Sequence, residues 1–190
     1  MTAAPADKLM DQPISLDTVV RFLVTAPFFS GLDAAERGEV VRIMEVKRLQ
    51  NDEEIFHEGD PGDAWYVVFE GQVKVLKESE NGPTQVATLG PGACFGEMAI
   101  LDGMARSATV RADGPLTMFK FRRARFEELL EQGSLGAYKL VAAMARLLSQ
   151  RQRELSQQVG DLLAGKGTPT SVRAVRASLV QAVGRSTISE

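Results

Sequence analysis

The sequence predicts a mainly β domain of the antiparallel sandwich or jelly-roll type, with helices on both sides of it in the chain. From about residue 46 the apolar residues occur in short β-branched and aromatic runs, separated by clusters of Gly, Pro, Asp and Asn. Before residue 46 and after residue 122 they return to helical spacing. Many short strands with turn signals between them are typical of sandwiches and jelly rolls.

The first 45 residues predict a leader followed by helices. Residues 1–15 are polar and contain two prolines, which predicts a flexible leader. Residues 16–45 predict a short helix that ends at Pro27 and then a second helix. Asp33 and Glu36 have the three-residue spacing of a capping box at the start of that second helix. We expect its buried face to contain Val40, Val41, Ile43 and Met44.

Residues 46–122 predict the strand-rich core. Residues 65–69 form a continuous aromatic and β-branched run, and residues 72–77 alternate polar and apolar side chains as a half-buried strand does. The turn signals between the strands lie at residues 59–63, 70–71, 81–83, 90–92 and 113–115.

Residues 123–163 predict two further helices, a short one ending near Gly133 and a longer one over 135–163. The longer helix has an apolar residue every seventh position, which predicts pairing with a second copy in a homodimer; these residues are Val141, Leu148, Leu155 and Leu162. The alternative is an amphipathic helix that packs on its own domain. Residues 164–190 form a basic, Ser- and Thr-rich tail, which either binds an unidentified effector protein or is solvated and disordered.

Composition favours binding over catalysis. The 190 residues are 44% hydrophobic and carry a net charge of −3, which gives no general attraction to nucleic acid or anionic membranes. No apolar run spans a membrane and no secretion signal is present, so we expect a cytoplasmic protein with no membrane partner. The single histidine, His57, and single cysteine, Cys94, form neither a catalytic pair nor a metal site. We therefore expect no enzyme activity, no catalytic residues and no bound metal.

Residues 95–109 contain the strongest functional signal. Glu97 and Arg106 stand nine residues apart in a segment rich in small and apolar residues. Gly96 opens a short apolar turn whose free N–H groups can bind an anion. Arg106 can hold phosphate oxygens through its fork of donors, Ser107 adds a hydroxyl, and the acceptor-only carboxylate of Glu97 suits a ribose hydroxyl. These residues predict a nucleotide pocket, unless Glu97 and Arg106 form an ion pair with each other in a domain without a ligand.

The same residues resemble the phosphate-binding cassette of the cyclic-nucleotide-binding domain family, which includes catabolite activator protein and the regulatory subunit of protein kinase A. The shared pattern is Phe-Gly-Glu, a small apolar tetrapeptide, a short variable loop and Arg-Ser-Ala-Thr. The turn at residues 59–63 and the strand after Gly71 also resemble the family, so the similarity covers roughly residues 25–160. It implies a jelly roll, or double-stranded β-helix, with N-terminal helices and two C-terminal helices.

The resemblance also implies a role for each cassette residue. Glu97 would accept a hydrogen bond from the ribose 2′-OH. Arg106 and Ser107 would hold the exocyclic phosphate oxygens, with backbone N–H groups around Gly96 and Ala108. Met98 and Ala99, from the small apolar tetrapeptide, complete the predicted cassette.

The residues near the base are less clearly defined. Strand placement suggests an apolar wall made of Val73, Val75, Val86 and Leu89. The long helix would present Arg151 and Gln152 to the base, where activator-type relatives have small hydroxyl side chains. Because of this difference both cyclic AMP and cyclic GMP stay open as ligands, with cyclic AMP favoured; no other cofactor is implied.

The implied function is a cyclic-nucleotide sensor that rearranges its C-terminal helices and signals to a separate partner protein. We expect a homodimer through residues 135–163. DNA binding is not expected, because no helix-turn-helix spacing follows the long helix in this sequence. One alternative is an interaction scaffold that acts through its dimer helix and basic tail with weak or no nucleotide binding. The other is a transcriptional regulator.

Overall fold

The computed structural model describes residues 14–79 and 82–164, so the predictions for the leader up to residue 13 and for the tail from residue 165 lie outside the described residues. The helices are α1 Leu16–Thr25, α2 Ala34–Arg42, α3 Met98–Asp102, α4 Arg123–Glu131 and α5 Leu135–Leu163, with a 3₁₀ turn at Pro27–Phe29. The strands are β1 Met44–Leu49, β2 Glu54–Phe56, β3 Ala64–Glu70, β4 Val73–Lys77, β5 Thr84–Leu89, β6 Cys94–Phe95, β7 Thr109–Ala112 and β8 Leu116–Arg122.

The strands form two four-stranded antiparallel sheets, ordered β1-β8-β3-β6 and β2-β7-β4-β5. Strands distant in sequence are neighbours in each sheet, as β1 and β8 are. This arrangement confirms the predicted mainly β jelly roll with flanking helices. It also makes the segment between β6 and β7, which contains Glu97 and Arg106, the connection from the first sheet to the second.

Local sequence signals set the start of α2. The Asp33 carboxylate accepts from the Glu36 backbone N–H at 2.9 Å, and the Glu36 carboxylate accepts from the Asp33 N–H at 2.7 Å, which confirms the capping box. The end of α2 differs from the prediction. Met44, predicted on the helix, is the first residue of β1, where it pairs with Phe121. Pairing with a distant strand outweighs the helical spacing of the apolar residues here.

One hydrophobic cluster joins the helices to the first sheet. Trp65 of β3 is fully buried and stacks on Phe121 of β8, with ring centroids 4.0 Å apart. Phe126 of α4 meets the indole edge-on at 5.7 Å. Leu140 and Met144 of α5 are buried in the same cluster. The first half of α5 is therefore fixed to the barrel by apolar packing.

The second half of α5 differs from the first. Leu148 and Leu155, two of the predicted pairing positions, are half-buried, and the side chain of Leu162 is outside the description. The first half packs on its own domain, as the alternative reading of this helix expects. The homodimer itself stays a prediction. None of the described helices is long and apolar enough to cross a membrane.

Gly38→Ala is expected to stabilise the domain by about 0.5–1 kcal/mol. Gly38 lies inside α2, and a Cβ built on it meets no atom within 4 Å. Alanine restricts the unfolded chain and raises helix propensity at no steric cost. Urea denaturation of both proteins measures the change. An unchanged or lower free energy of unfolding would contradict the placement of Gly38 in an open helix interior.

Candidate functional site

The segment from β6 to β7 forms a compact turn, helix and loop. Gly96 has φ +74°, and a Cβ at this position would lie 2.8 Å from Nη1 of Arg106, so both the backbone conformation and the close approach require glycine. Glu97 is the N-cap of α3, and its carbonyl accepts the N–H groups of Ile100 and Leu101 at 3.1 Å. The short helix ends at Gly103, which is left-handed with φ +69°. Glu97 and Arg106 therefore stand at the two ends of the segment that α3 and the following loop form.

This segment borders a cavity of about 100 Å³ between the sheets and α5. The cavity is lined by Phe56, Val75, Leu89, Phe95, Gly96, Glu97, Met98, Ala99, Arg106, Ser107, Ala108, Val110 and Arg151. The structure thus brings together eight of the ten residues predicted to bind ligand. Val75 and Leu89, expected in the apolar wall, also line it.

The two remaining predicted residues, Val86 and Gln152, do not line the cavity, and their contact with a ligand stays a prediction. Val86 lies where the register between β4 and β5 shifts: Val75 pairs with Ala87 and the next residue, Leu76, pairs with Gln85. This irregularity breaks the alternation on which the prediction depends. Gln152 is exposed, because consecutive residues of a helix do not face the same way.

Val73, also predicted for the apolar wall, lies elsewhere. It is fully buried in the core cluster of the second sheet and does not line the cavity.

Arg106 is buried and has several partners. The residue is 2% exposed, and its guanidinium carbon lies 4.2 Å from the centre of the Phe56 ring. Nη1 donates to the carbonyl of Gly96 at 2.9 Å, and Nη2 donates to the carbonyl of Ala64 at 2.7 Å and to the Asp63 carboxylate at 3.3 Å. Its Nε–H is buried and has no hydrogen-bond partner among the described residues. A buried donor without a partner costs about 1–3 kcal/mol, so an acceptor that reaches Nε is favoured here.

The loop before β3 fixes the backbone of Arg106. The Arg106 N–H donates to the carbonyl of Asp60 at 2.8 Å, and the Gly59 N–H donates to the carbonyl of Arg106 at 2.9 Å. Asp63, at the end of that loop, forms ion pairs with both Arg106 and Lys120. Partial desolvation acts to raise the pKa of Asp63, but the hydrogen bond from Lys120 and the charges of Lys120 and Arg106 outweigh it and lower the pKa. The Asp63 carboxylate therefore stays charged beside the guanidinium.

Glu97 is a buried carboxylate with a partner on α5. It is 1% exposed, and its Oε1 accepts from Nη1 of Arg151 at 2.6 Å. Nη2 of Arg151 donates to the carbonyl of Cys94 at 2.7 Å. Burial raises the pKa of Glu97, and the charges of Arg151 and Arg106 partly oppose that rise. Glu97 and Arg106 do not pair with each other, because each has its own counter-ion, Arg151 and Asp63.

Sequence reasoning missed three apolar residues of the cavity: Phe56, Phe95 and Val110. Phe56 of β2 pairs with Val110 of β7, and Phe95 stands directly before Gly96. Of the three, only Phe95 could be recognised in the sequence, because it is the first residue of the Phe-Gly-Glu pattern. The position of Phe56 beneath Arg106 depends on a strand pairing across more than fifty residues.

Comparison with known proteins agrees with this geometry. The family model for the cyclic nucleotide-binding domain matches residues 46–133. A cAMP-dependent protein kinase regulatory subunit from Mycosarcoma maydis is 34% identical over 94 residues, which are 50% of this chain and 18% of that protein. The chain therefore spans less than a fifth of the length of this curated relative.

Solved structures show the same fold. The regulatory subunit of a cAMP-independent protein kinase A from Trypanosoma brucei, as a variant bound to cAMP in its A site, is 26% identical with a TM-score of 0.63; the match covers 74% of this chain and 50% of that one. The N-terminal domain of a transcriptional regulator from Streptomyces coelicolor A3(2) is 31% identical with a TM-score of 0.60, and the match covers 70% of this chain and 94% of that one. Domains of this kind are regulatory rather than catalytic. Residues 46–133 of this chain therefore belong to the cyclic nucleotide-binding domain family, and the solved structures show the same fold over a longer part of the chain.

Proposed function

We propose that this chain is a cytoplasmic cyclic-nucleotide sensor, without enzyme activity, that regulates a separate partner protein. The observation that carries the proposal is a pair of buried, oppositely charged side chains in one cavity, Glu97 and Arg106. The Nε–H of Arg106 has no hydrogen-bond partner in the described part of the chain. A ligand that carries an anion next to a neutral hydroxyl can bind both side chains: the anion accepts from Arg106 and the hydroxyl donates to Glu97. A cyclic phosphate fused to a ribose offers these two features within a few ångströms.

In this proposal the phosphate binds between Arg106, Ser107 and the backbone N–H groups near Gly96 and Ala108. The ribose 2′-OH donates to Glu97. Hydrogen bonds to charged groups of this kind contribute about 1.5–3 kcal/mol each. The apolar part of the lining, which includes Met98 and Ala99, would surround the sugar and the base.

The preferred ligand is cyclic AMP over cyclic GMP. The curated relative is a cAMP-dependent regulatory subunit, which supports cyclic AMP. That relative also supports a protein kinase catalytic subunit as the class of partner. The transcriptional regulator among the solved structures supports gene regulation as a third, less favoured reading.

Isothermal titration calorimetry tests the proposal directly. We expect saturable binding of one cyclic AMP per chain, weaker binding of cyclic GMP, and no binding of linear 5′-AMP, which shares the base but carries a free, more highly charged phosphate. Absence of heat with both cyclic nucleotides, in a protein whose circular dichroism shows a folded β domain, would overturn the proposal.

A second candidate is an interaction scaffold with weak or no nucleotide binding. It is favoured by the ion pair between Glu97 and Arg151, because the carboxylate assigned to the ribose already has a partner. The half-buried Leu148 and Leu155 of α5 leave apolar surface for a second copy or an effector. Light scattering of the chain with and without cyclic AMP distinguishes the sensor from the scaffold. A scaffold is expected to keep the same oligomeric state in both conditions and to show weak or no binding of the ligand.

A further inference from the structure

A lysine of β4 holds the loop that follows Arg106. Nζ of Lys77, the last residue of β4, donates to the backbone carbonyl of Ser107 at 2.9 Å. Lys77 also forms an ion pair with the carboxylate of Glu58, and both side chains are largely buried. Ser107 lines the cavity, whereas neither Lys77 nor Glu58 belongs to its lining. The lysine therefore reaches the cassette from outside the cavity.

Glu58 determines where the ammonium of Lys77 lies. Its carboxylate accepts from Nζ of Lys77 and, at 3.2 Å, from the backbone N–H of Glu78. The N–H of Glu58 donates to Oγ1 of the buried Thr109 at 2.9 Å. Glu58 thus contacts both the end of β4 and the start of β7, two residues after Ser107. Because the ion pair already orders the lysine side chain, its hydrogen bond to the Ser107 carbonyl needs little further loss of conformational entropy.

The direction of two peptide groups follows from these contacts. The carbonyl of Arg106 accepts from the Gly59 N–H at 2.9 Å, and the carbonyl of Ser107 accepts from Lys77. The described part of the chain contains no cis peptide bond, and in a planar trans peptide the C=O and the N–H point in opposite directions. The N–H groups of Ser107 and Ala108 therefore point away from Gly59 and Lys77. Successive backbone N–H groups are a common anion-binding element in proteins.

We propose that Lys77 is a positioning residue of the anion site, which holds the Ser107 carbonyl so that the Ala108 N–H stays directed at the phosphate of the ligand. This inference rests on the proposed cyclic-nucleotide function of the cavity, which Ser107 and Ala108 both line. A donor that is oriented before binding costs no ordering when the anion arrives. Donation to the carbonyl also polarises the peptide group and strengthens its N–H as a donor. The affinity then depends on a side chain that does not touch the ligand.

Lys77→Met removes the ammonium but keeps an unbranched stem, and Lys74→Met is the matched control. Lys74 lies in the same strand and pairs with Asp52 instead of the cassette, and the two lysine side chains are 15% and 20% exposed. Both variants lose one positive charge, so the control accounts for the change in net charge. In calorimetry we expect Lys77→Met to bind cyclic AMP about tenfold more weakly than the wild type and Lys74→Met to match the wild type. Lys77→Arg keeps a donor and should recover most of the loss.

The amide proton of Ala108 provides a spectroscopic measurement that a merely structural role of Lys77 would not change. In an NMR titration of the wild type, cyclic AMP should shift this proton downfield, because a charge-assisted hydrogen bond to an anion is short. The shift should be smaller in Lys77→Met. A wild type that binds without this shift, a Lys77→Met protein with wild-type affinity, or equal losses of affinity in Lys77→Met and Lys74→Met would overturn the inference alone. Absence of binding by the wild type would overturn the proposed function as well.

Discussion

Arg106→Lys is expected to weaken cyclic AMP binding by about a hundredfold or more in a protein that still folds. Lysine keeps the charge but replaces a planar fork of donors with a single ammonium. In the structure three of its five N–H donors hold the carbonyls of Gly96 and Ala64 and the carboxylate of Asp63, which leaves two donors, the Nε–H among them, for the ligand. Losing two charge-assisted hydrogen bonds of about 1.5–3 kcal/mol each corresponds to at least a hundredfold change in affinity. Calorimetry with cyclic AMP measures it.

The same substitution carries a stability cost, which must be measured separately. The guanidinium is buried over the Phe56 ring and satisfies two backbone carbonyls, so its loss is expected to lower the free energy of unfolding by about 1–3 kcal/mol. Arg111→Lys is the matched control, because Arg111 pairs with Glu54 at a partly exposed site outside the cavity lining. Exposed ion pairs contribute about 0–1 kcal/mol, so this control should fold and bind as the wild type does. Full affinity in a folded Arg106→Lys protein would contradict the assignment of Arg106 to the phosphate.

Features that depend on neighbouring residues could be predicted from the sequence. The capping box of Asp33 and Glu36 needs only four consecutive positions, and the structure forms it. The long helix was expected over residues 135–163, and α5 spans Leu135–Leu163. The cassette is contiguous in the chain, so its residue types alone indicate a pocket, and residues 96–99 and 106–108 do line one.

Features that depend on how distant segments meet could not be predicted. The partners of Arg106 at Asp63 and Ala64 stand 43 and 42 residues away, and no local pattern marks them. Arg151 was placed near the base by analogy, yet its contact with the carboxylate of Glu97 depends on the rotation and tilt of α5. Val86 stands at a register shift in one strand pair and does not line the cavity, and no local pattern marks that shift. All three cases concern residues expected to contact the ligand. For this reason the sequence alone leaves open which cyclic nucleotide binds and how binding is signalled to a partner.

Gly62→Ala is expected to lower both the stability of the domain and its affinity for cyclic AMP. A Cβ on Gly62 would lie 2.2 Å from Cβ of Ala99 and 3.3 Å from its Cα, and Ala99 is buried in α3. The short helix must therefore move, and it begins directly after Glu97. Overpacking of a close contact costs about 1–3 kcal/mol, and displacement of the carboxylate should weaken binding at least tenfold. Urea denaturation and calorimetry measure the two effects.

The steric origin of this effect can be separated from any general cost of alanine in place of glycine. Gly38→Ala makes the same chemical change in open space and should stabilise the protein, so it controls for composition. The double variant Gly62→Ala with Ala99→Gly removes the 2.2 Å overlap, and it should recover part of both losses, since the 3.3 Å approach to Cα stays. Recovery of affinity together with stability would locate the defect in the position of α3, and therefore of Glu97. If Gly62→Ala alone folds and binds as the wild type does, the turn at residues 59–63 does not determine the position of the cassette.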